Sequence, residues 1–317
     1  MAYIFREITN NVVAIALGRF DLPLDYGLTV GSILVGTLIP AYIALYLFPN
    51  LKSVPTKYLA ALGIGLTFWF WTDTIGDATY LDVNAAAWPP SAFGGLYHFA
   101  VIFAFILGIA ALAVFDHLAV PSPTSYEGVP NGVAAASQAS AKSVASGFVT
   151  GALFFVPVAV AGVMGVHGLG EGWDFAGVAV GVSGSTDIVT AFGGWNPVVS
   201  YPLHKFFEAS IISIVYTIYV QRNGIAKKAG WQLPVLGLLF GLTSVIGSVV
   251  GYFVPLDTTF FYAFGVTSGF YAAIRLAGPL IMNTKGTAGT FPSYLGAKTF
   301  VFLAIGFFLL YFAALLH

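Results

Sequence analysis

Two histidine–glutamate pairs stand out in a chain that is otherwise poor in ionisable residues. His167 and Glu171 lie in VHGLGEGWDF, and His204 and Glu208 lie in YPLHKFFEAS. Each pair is spaced i, i+4, which on a helix sets both side chains on one face, one turn apart. A neutral imidazole and a carboxylate so placed can bind one divalent cation, and two such helices face to face supply four ligands. The chain has no cysteine. The donors are therefore nitrogen and oxygen alone, a set that suits Zn(II), Fe(II), Mn(II), Co(II) or Ni(II). A single pair of this kind is more often a packing or proton-relay element. Its recurrence in consecutive apolar segments favours a ligand set.

Further carboxylates surround these pairs. Asp73 and Asp77, in WTDTIGDATYLDV, are again spaced i, i+4, and Asp174 lies one turn beyond Glu171. Asp73, Asp77 and Asp174 are candidates for accessory ligands, or for an acidic mouth that attracts cations. For Asp82 a solvated helix end is the better reading. Lys205 directly follows His204, so it points elsewhere on the helix, and at i+3 it can neutralise Glu208.

The elements that must position these residues are set by the composition. The chain has 317 residues, of which 58% are hydrophobic and 8% charged, with a mean hydropathy of +0.88. Soluble domains carry about 25% charge. An ordinary soluble enzyme, a disordered chain and a nucleic-acid binder are thereby excluded, and an all-α polytopic membrane protein is expected. A net charge of −1 implies no bulk attraction to nucleic acid or anionic lipid.

Apolar runs predict eight spans, at about 26–49, 58–81, 94–118, 146–180, 195–220, 231–254, 259–282 and 296–316. The chain thus divides into an amino-terminal segment (1–25), three spans (26–118), a loop (119–145) and five spans (146–316), all in one membrane domain. The segment 1–25 contains Arg6, Glu7, Arg19, Asp21 and Asp25. It reads as interfacial and lacks the pattern of a cleaved signal peptide. The fourth run is too long for one straight crossing, and Pro157 with Gly162, Gly165, Gly168 and Gly170 predicts a kinked or broken helix. Gly27-x-x-x-Gly31 and Gly247-x-x-x-Gly251 predict close helix packing.

Basic residues orient this bundle. With the amino terminus outside, the inner loops contain or border Lys52, Lys57, Lys142, Arg222, Lys227, Lys228, Lys285 and Lys298. The outer loops 82–93, 181–194 and 255–258 hold no Lys or Arg, and carry Asp82, Asp187 and Asp257 instead. This positive-inside asymmetry puts both termini outside and the loop 119–145 in the cytoplasm. No Walker A, G-x-S-x-G or H-E-x-x-H pattern occurs. No ATP-driven engine, no enzyme and no cofactor is expected.

At this point the sequence resembles the ZIP (Zrt/Irt-like) family of divalent metal transporters. His167-Gly-Leu-Gly-Glu171-Gly172 looks like that family's fourth-helix H-N-x-P-E-G motif, and His204-Lys-Phe-Phe-Glu208-Ala209 like its fifth-helix H-x-x-x-E-G motif. The stretch from Gly241 to Tyr252 is similar to its sixth-helix G-L-A-E-P-L-G-A-x-x-G-Y, and Asp73-Thr-Ile-Gly-Asp77-Ala78 sits where the second helix often reads H-x-x-P-E-A. The chain departs from the pattern at Gly168 (usually Asn), Gly170 (usually Pro) and Asp73 (usually His). Ser244 stands where many members place a carboxylate for a second metal, so a binuclear site is not expected.

The resemblance implies His167, Glu171, His204 and Glu208 as ligands of a transported ion. Zn, Fe, Mn, Co or Cd would be substrate rather than cofactor, moving into the cytoplasm. Spans one, four, five and six would move against two, three, seven and eight. The expected partners are divalent cations and the lipid bilayer of a prokaryotic cytoplasmic membrane, with no nucleic acid; a homodimer is left open. Two alternatives remain. In one, a proton-linked carrier uses the His–Glu pairs as relays. In the other, the pairs merely satisfy each other in a non-transporting subunit of a membrane complex.

Overall fold

The computed structural model describes residues 24–84, 97–119, 154–176, 189, 194–221, 230–254, 256, 258–281 and 296–314. The amino-terminal segment and the predicted inner loop lie outside them, apart from residues 24–25 and 119. Among the described residues there are eight long helices and no strand. They are α1 (Leu24–Asn50), α2 (Thr56–Asn84), α3 (Tyr97–Ala119), α4 (Phe154–Ala176), α5 (Trp195–Tyr216), α6 (Gln232–Gly251), α7 (Thr259–Ile281) and α8 (Ala297–Ala314). Each coincides with one predicted apolar run to within a few residues, except that the described residues cover only 154–176 of the fourth run.

Four of the helices, α1, α4, α5 with the π-helical turn Thr217–Gln221 that continues it, and α6, are long and apolar enough to cross a membrane. This is a membrane protein by the length and composition of its helices. In α5, 83% of the most apolar stretch is buried, against 39% in α1 and α6. α5 is therefore the most buried of these four helices. Large side chains such as Ile39, Ile43, Ile106, Phe308 and Phe312 are exposed, as lipid-facing surface should be. Buried hydroxyls turn back onto their own helix: Thr74 and Ser210 each donate to the carbonyl four residues earlier at 2.7 Å. An apolar solvent offers them no other partner.

The helices sort into two packed groups. α2 lies between α7 and α8, and α3 packs on α7. α1 packs on α5 and α6, and α4 lies on α6 through glycines: Gly165 abuts the Leu239 carbonyl, Gly172 the Ser244 carbonyl and Gly247 the Leu169 carbonyl. Between the groups, α5 touches α2, α8 and α7 over smaller areas.

The predicted break in the fourth helix is absent: α4 runs without interruption from Phe154 to Ala176. Pro157 lies within that uninterrupted stretch. Gly165 and Gly168 admit α6 and Gly170 admits α7, while Gly162 has nothing within 4 Å among the described residues. The Gly247–Gly251 pattern makes the predicted contact, with Gly251 against Trp173. Gly27 and Gly31 do not, since nothing among the described residues lies within 4 Å of where their side chains would begin.

Candidate metal centre

Because α4 is continuous, His167 and Glu171 are one helical turn apart on one face, as are His204 and Glu208 on α5. The two pairs face each other across α4 and α5, with one ligand atom from each residue within 4.8 Å of the others. All four side chains are buried.

The geometry of the cluster is close to a coordination shell. The Nε2 atom of His167 is 3.6 Å from Glu171 Oε1 and 3.5 Å from Glu208 Oε1. The Nε2 atom of His204 is 3.8 Å from Glu171 Oε1 and 3.3 Å from Glu208 Oε1. One ligand atom from each residue lies within 4.8 Å of every other. A charge-assisted hydrogen bond is shorter, at about 2.7–2.9 Å. A tetrahedral ion with bonds of about 2.0–2.1 Å spaces its ligand atoms at about 3.3–3.4 Å. The four separations begin at that spacing and run up to 3.8 Å. Glu208 Oε1 is buried with no hydrogen-bond donor among the described residues, although an ionised carboxylate oxygen in such a place demands a cation or donor. These four residues form a group that could hold a metal ion.

Lys205 completes the cluster, with a second carboxylate partner beyond the expected Glu208. It is fully buried, and its Nζ donates to Glu171 Oε2 and, at 2.5 Å, to Glu208 Oε2. Each glutamate thus turns one oxygen toward the imidazoles and the other toward the ammonium. Helical projection explains the bond to Glu208. At about 100° per residue, Glu208 falls between His204 and Lys205, about 40° from one and 60° from the other. The bond to Glu171 depends on α4 lying alongside and is not visible in α5 alone. The rings of Tyr201 and Phe240 flank the ammonium at 5.7 and 5.4 Å, a favourable setting for a buried cation. With neutral imidazoles the cluster carries −1, and a divalent ion would bring it to +1.

His167 is held differently. Its ring stands edge-on to Phe70 of α2 at 5.2 Å and to Tyr262 of α7 at 4.9 Å. Its Cβ side faces Gly265, where an added methyl group would approach to 2.5 Å. So a residue of α4 is gripped by the opposite helix group.

The remaining predicted residues lie around the centre, not in it. Asp174 is half-buried and accepts hydrogen bonds from Thr258 (2.9 and 3.1 Å) and Tyr262 (2.9 Å). Asp73 is half-buried and Asp77 exposed on α2, and both act electrostatically on His204. Asp77 also acts on His167. Phe70 and Tyr262 carry no sequence signal for their part in the site, because each is an ordinary aromatic in an apolar helix. No protein-family model, curated protein or solved structure matches this chain.

Proposed function

We propose that the protein is a divalent metal cation transporter of the zinc, iron and manganese class, a divergent relative of the ZIP family. It carries its ion into the cytoplasm through the His167–Glu171–His204–Glu208 centre between α4 and α5. The observation that carries this reading is the Nε2–Oε1 spacing of 3.3–3.8 Å in a buried cluster. That spacing is within ion-pair range but longer than a charge-assisted hydrogen bond of about 2.7–2.9 Å, and at its short end it suits an ion of about 2.0–2.1 Å bonds. In this reading all eight helices span the membrane, both termini lie outside, and the basic loops face the cytoplasm.

Each residue then has a part. Asp77, exposed, and Asp73, deeper on the same helix, draw cations toward the imidazoles. Neutral His167 and His204 with the two Oε1 atoms replace the hydration shell. Lys205 holds the two Oε2 atoms and keeps the occupied site electropositive, which favours release over retention. The division into two helix groups supports a rocking of α1, α4, α5 and α6 against α2, α3, α7 and α8, with the ion at the seam.

One observation favours a second reading. Lys205 engages both carboxylates at once, which is also what a self-satisfied cluster in a non-transporting subunit would need. Proteoliposomes holding the purified protein separate the two. Transport predicts saturable uptake of at least one of Zn(II), Fe(II), Mn(II), Co(II) and Cd(II), abolished by His167→Ala and by Glu208→Ala. Folded, oriented protein that passes none of these ions would refute transport and favour the structural cluster.

A further inference from the structure

His167 lacks the usual support of a metal-binding histidine. Such a residue almost always donates its second ring N–H to a carboxylate or carbonyl, which fixes the ring. Here Nδ1 of His167 is buried and has no hydrogen-bond partner among the described residues. Packing must orient the ring, and the packing comes from α2 and α7: Phe70 and Tyr262 meet it edge-on at interplanar angles of 89°, over Gly265.

Of these neighbours, Tyr262 is itself pinned. Its hydroxyl donates to Asp174 Oδ2 at 2.9 Å, and Asp174 is held from the other side by Thr258. Asp174 lies seven residues beyond His167, two turns along the same face of α4. The chain of contact therefore leaves α4 at Asp174, passes through the Tyr262 ring on α7, and returns to α4 at His167. Tyr262 is buried, with Gly170 of α4 against its ring, and the hydroxyl bond to Asp174 adds a directional anchor to that packing.

We propose that Tyr262 is a positioning residue: its hydroxyl, anchored by Asp174, holds its ring against His167 and so sets the direction of Nε2 into the metal centre. The inference deepens the metal-binding reading and rests on it for its consequence in affinity. It also couples the two helix groups at the ligand. A shift of α7 along α4 moves Tyr262 off His167 and withdraws one ligand of four, while His204, Glu208 and Glu171 stay together.

The test uses full-length protein in detergent with Co(II) as the probe. Its visible absorption reports coordination geometry, and the chain has no cysteine to contribute. Tyr262→Phe keeps the ring and removes the anchor, and Asp174→Asn weakens the acceptor. Each is expected to lower Co(II) affinity by about 10–100-fold and to change the visible spectrum, as loss of an orienting partner does. The double variant should lose no more than the worse single one, because both break one linkage. Tyr219→Phe removes a hydroxyl that bonds the Arg275 carbonyl at 2.7 Å elsewhere on α7 and should leave both readouts unchanged.

A second readout needs no metal. In histidine-labelled protein, with ring signals assigned from His→Ala variants, Tyr262→Phe and Asp174→Asn should move the His167 ring nitrogens more than those of His204. If wild type binds Co(II), His167→Ala does not, and Tyr262→Phe keeps affinity, spectrum and ring signals, the positioning role is overturned and the metal centre stands. If wild type fails to bind Co(II) yet the His167 signals move as expected, the metal reading fails and the positioning role stands.

Discussion

Replacing Lys205 by methionine should tighten metal binding, the opposite of what loss of a ligand does. An ion on the Oε1 atoms would stand roughly 5 Å from the ammonium on the Oε2 atoms. A divalent charge at that range repels it by roughly 6–7 kcal/mol at an effective dielectric of ~20. Relaxation of the side chains reduces the gain, and even ~3 kcal/mol is about a hundredfold in affinity. Methionine suits the space, since it is long, flexible and makes good contact with the flanking rings of Tyr201 and Phe240. Without metal the variant should be destabilised, because breaking a buried ion pair by removing one partner costs about 3–5 kcal/mol. Saturating Zn(II) should restore it by linkage. Affinity is read by titration against a competing chelator, and stability by thermal unfolding in detergent with and without Zn(II). In liposomes the variant should combine a lower KM with a lower kcat, as release becomes slow. A Lys205→Met protein that binds Zn(II) no more tightly than wild type, while losing the same stability with or without metal, would refute this account and identify a structural salt-bridge cluster.

The remaining expectations follow from the same geometry. Glu208→Gln should weaken Zn(II) binding by at least about a hundredfold in calorimetric titration, because it removes the charge of an oxygen that faces both imidazoles. Metal binding requires neutral imidazoles and ionised carboxylates, so affinity should fall as pH falls, with protons released on binding and counted by calorimetry in buffers of different ionisation enthalpy. Gly172→Leu should destabilise the α4–α6 contact by about 1–3 kcal/mol or prevent folding, since Gly172 abuts the Ser244 carbonyl. Thermal unfolding checks it, and Gly76→Leu, at a position with open space, is the mild control. The absence of cysteine gives a clean background for topology. Trp195→Cys should react with an impermeant thiol reagent from outside, and Ser53→Cys only from inside.

The helix boundaries were largely legible in the sequence. In a bilayer each backbone group must be satisfied within its own helix, so an uninterrupted apolar run is nearly a statement of the element. The four ligating candidates were legible for a related reason. Ionisable residues are costly at membrane depth, and the i, i+4 spacing in adjacent spans marks a shared face. The continuity of α4 was not legible. A glycine that loosens a helix and one that admits a neighbouring backbone look the same in sequence, and only the presence of α6 against Gly165 and Gly172 distinguishes them. Gly27 and Gly31 show the converse, a packing pattern with nothing packed on it among the described residues.

Local spacing determined which side chains share a face: His167 with Glu171 and Asp174, and Glu208 between His204 and Lys205. That follows from a fixed rotation of about 100° per residue, which needs no knowledge of the rest of the chain. Tertiary structure alone decided what those faces meet. It set the second carboxylate on Lys205, brought Phe70 and Tyr262 against His167, and turned Asp174 toward Thr258 and Tyr262 rather than into the centre. Such contacts join residues far apart in the chain. They depend on how helices cross and how deeply they sit beside one another, and no periodicity within a single helix encodes that.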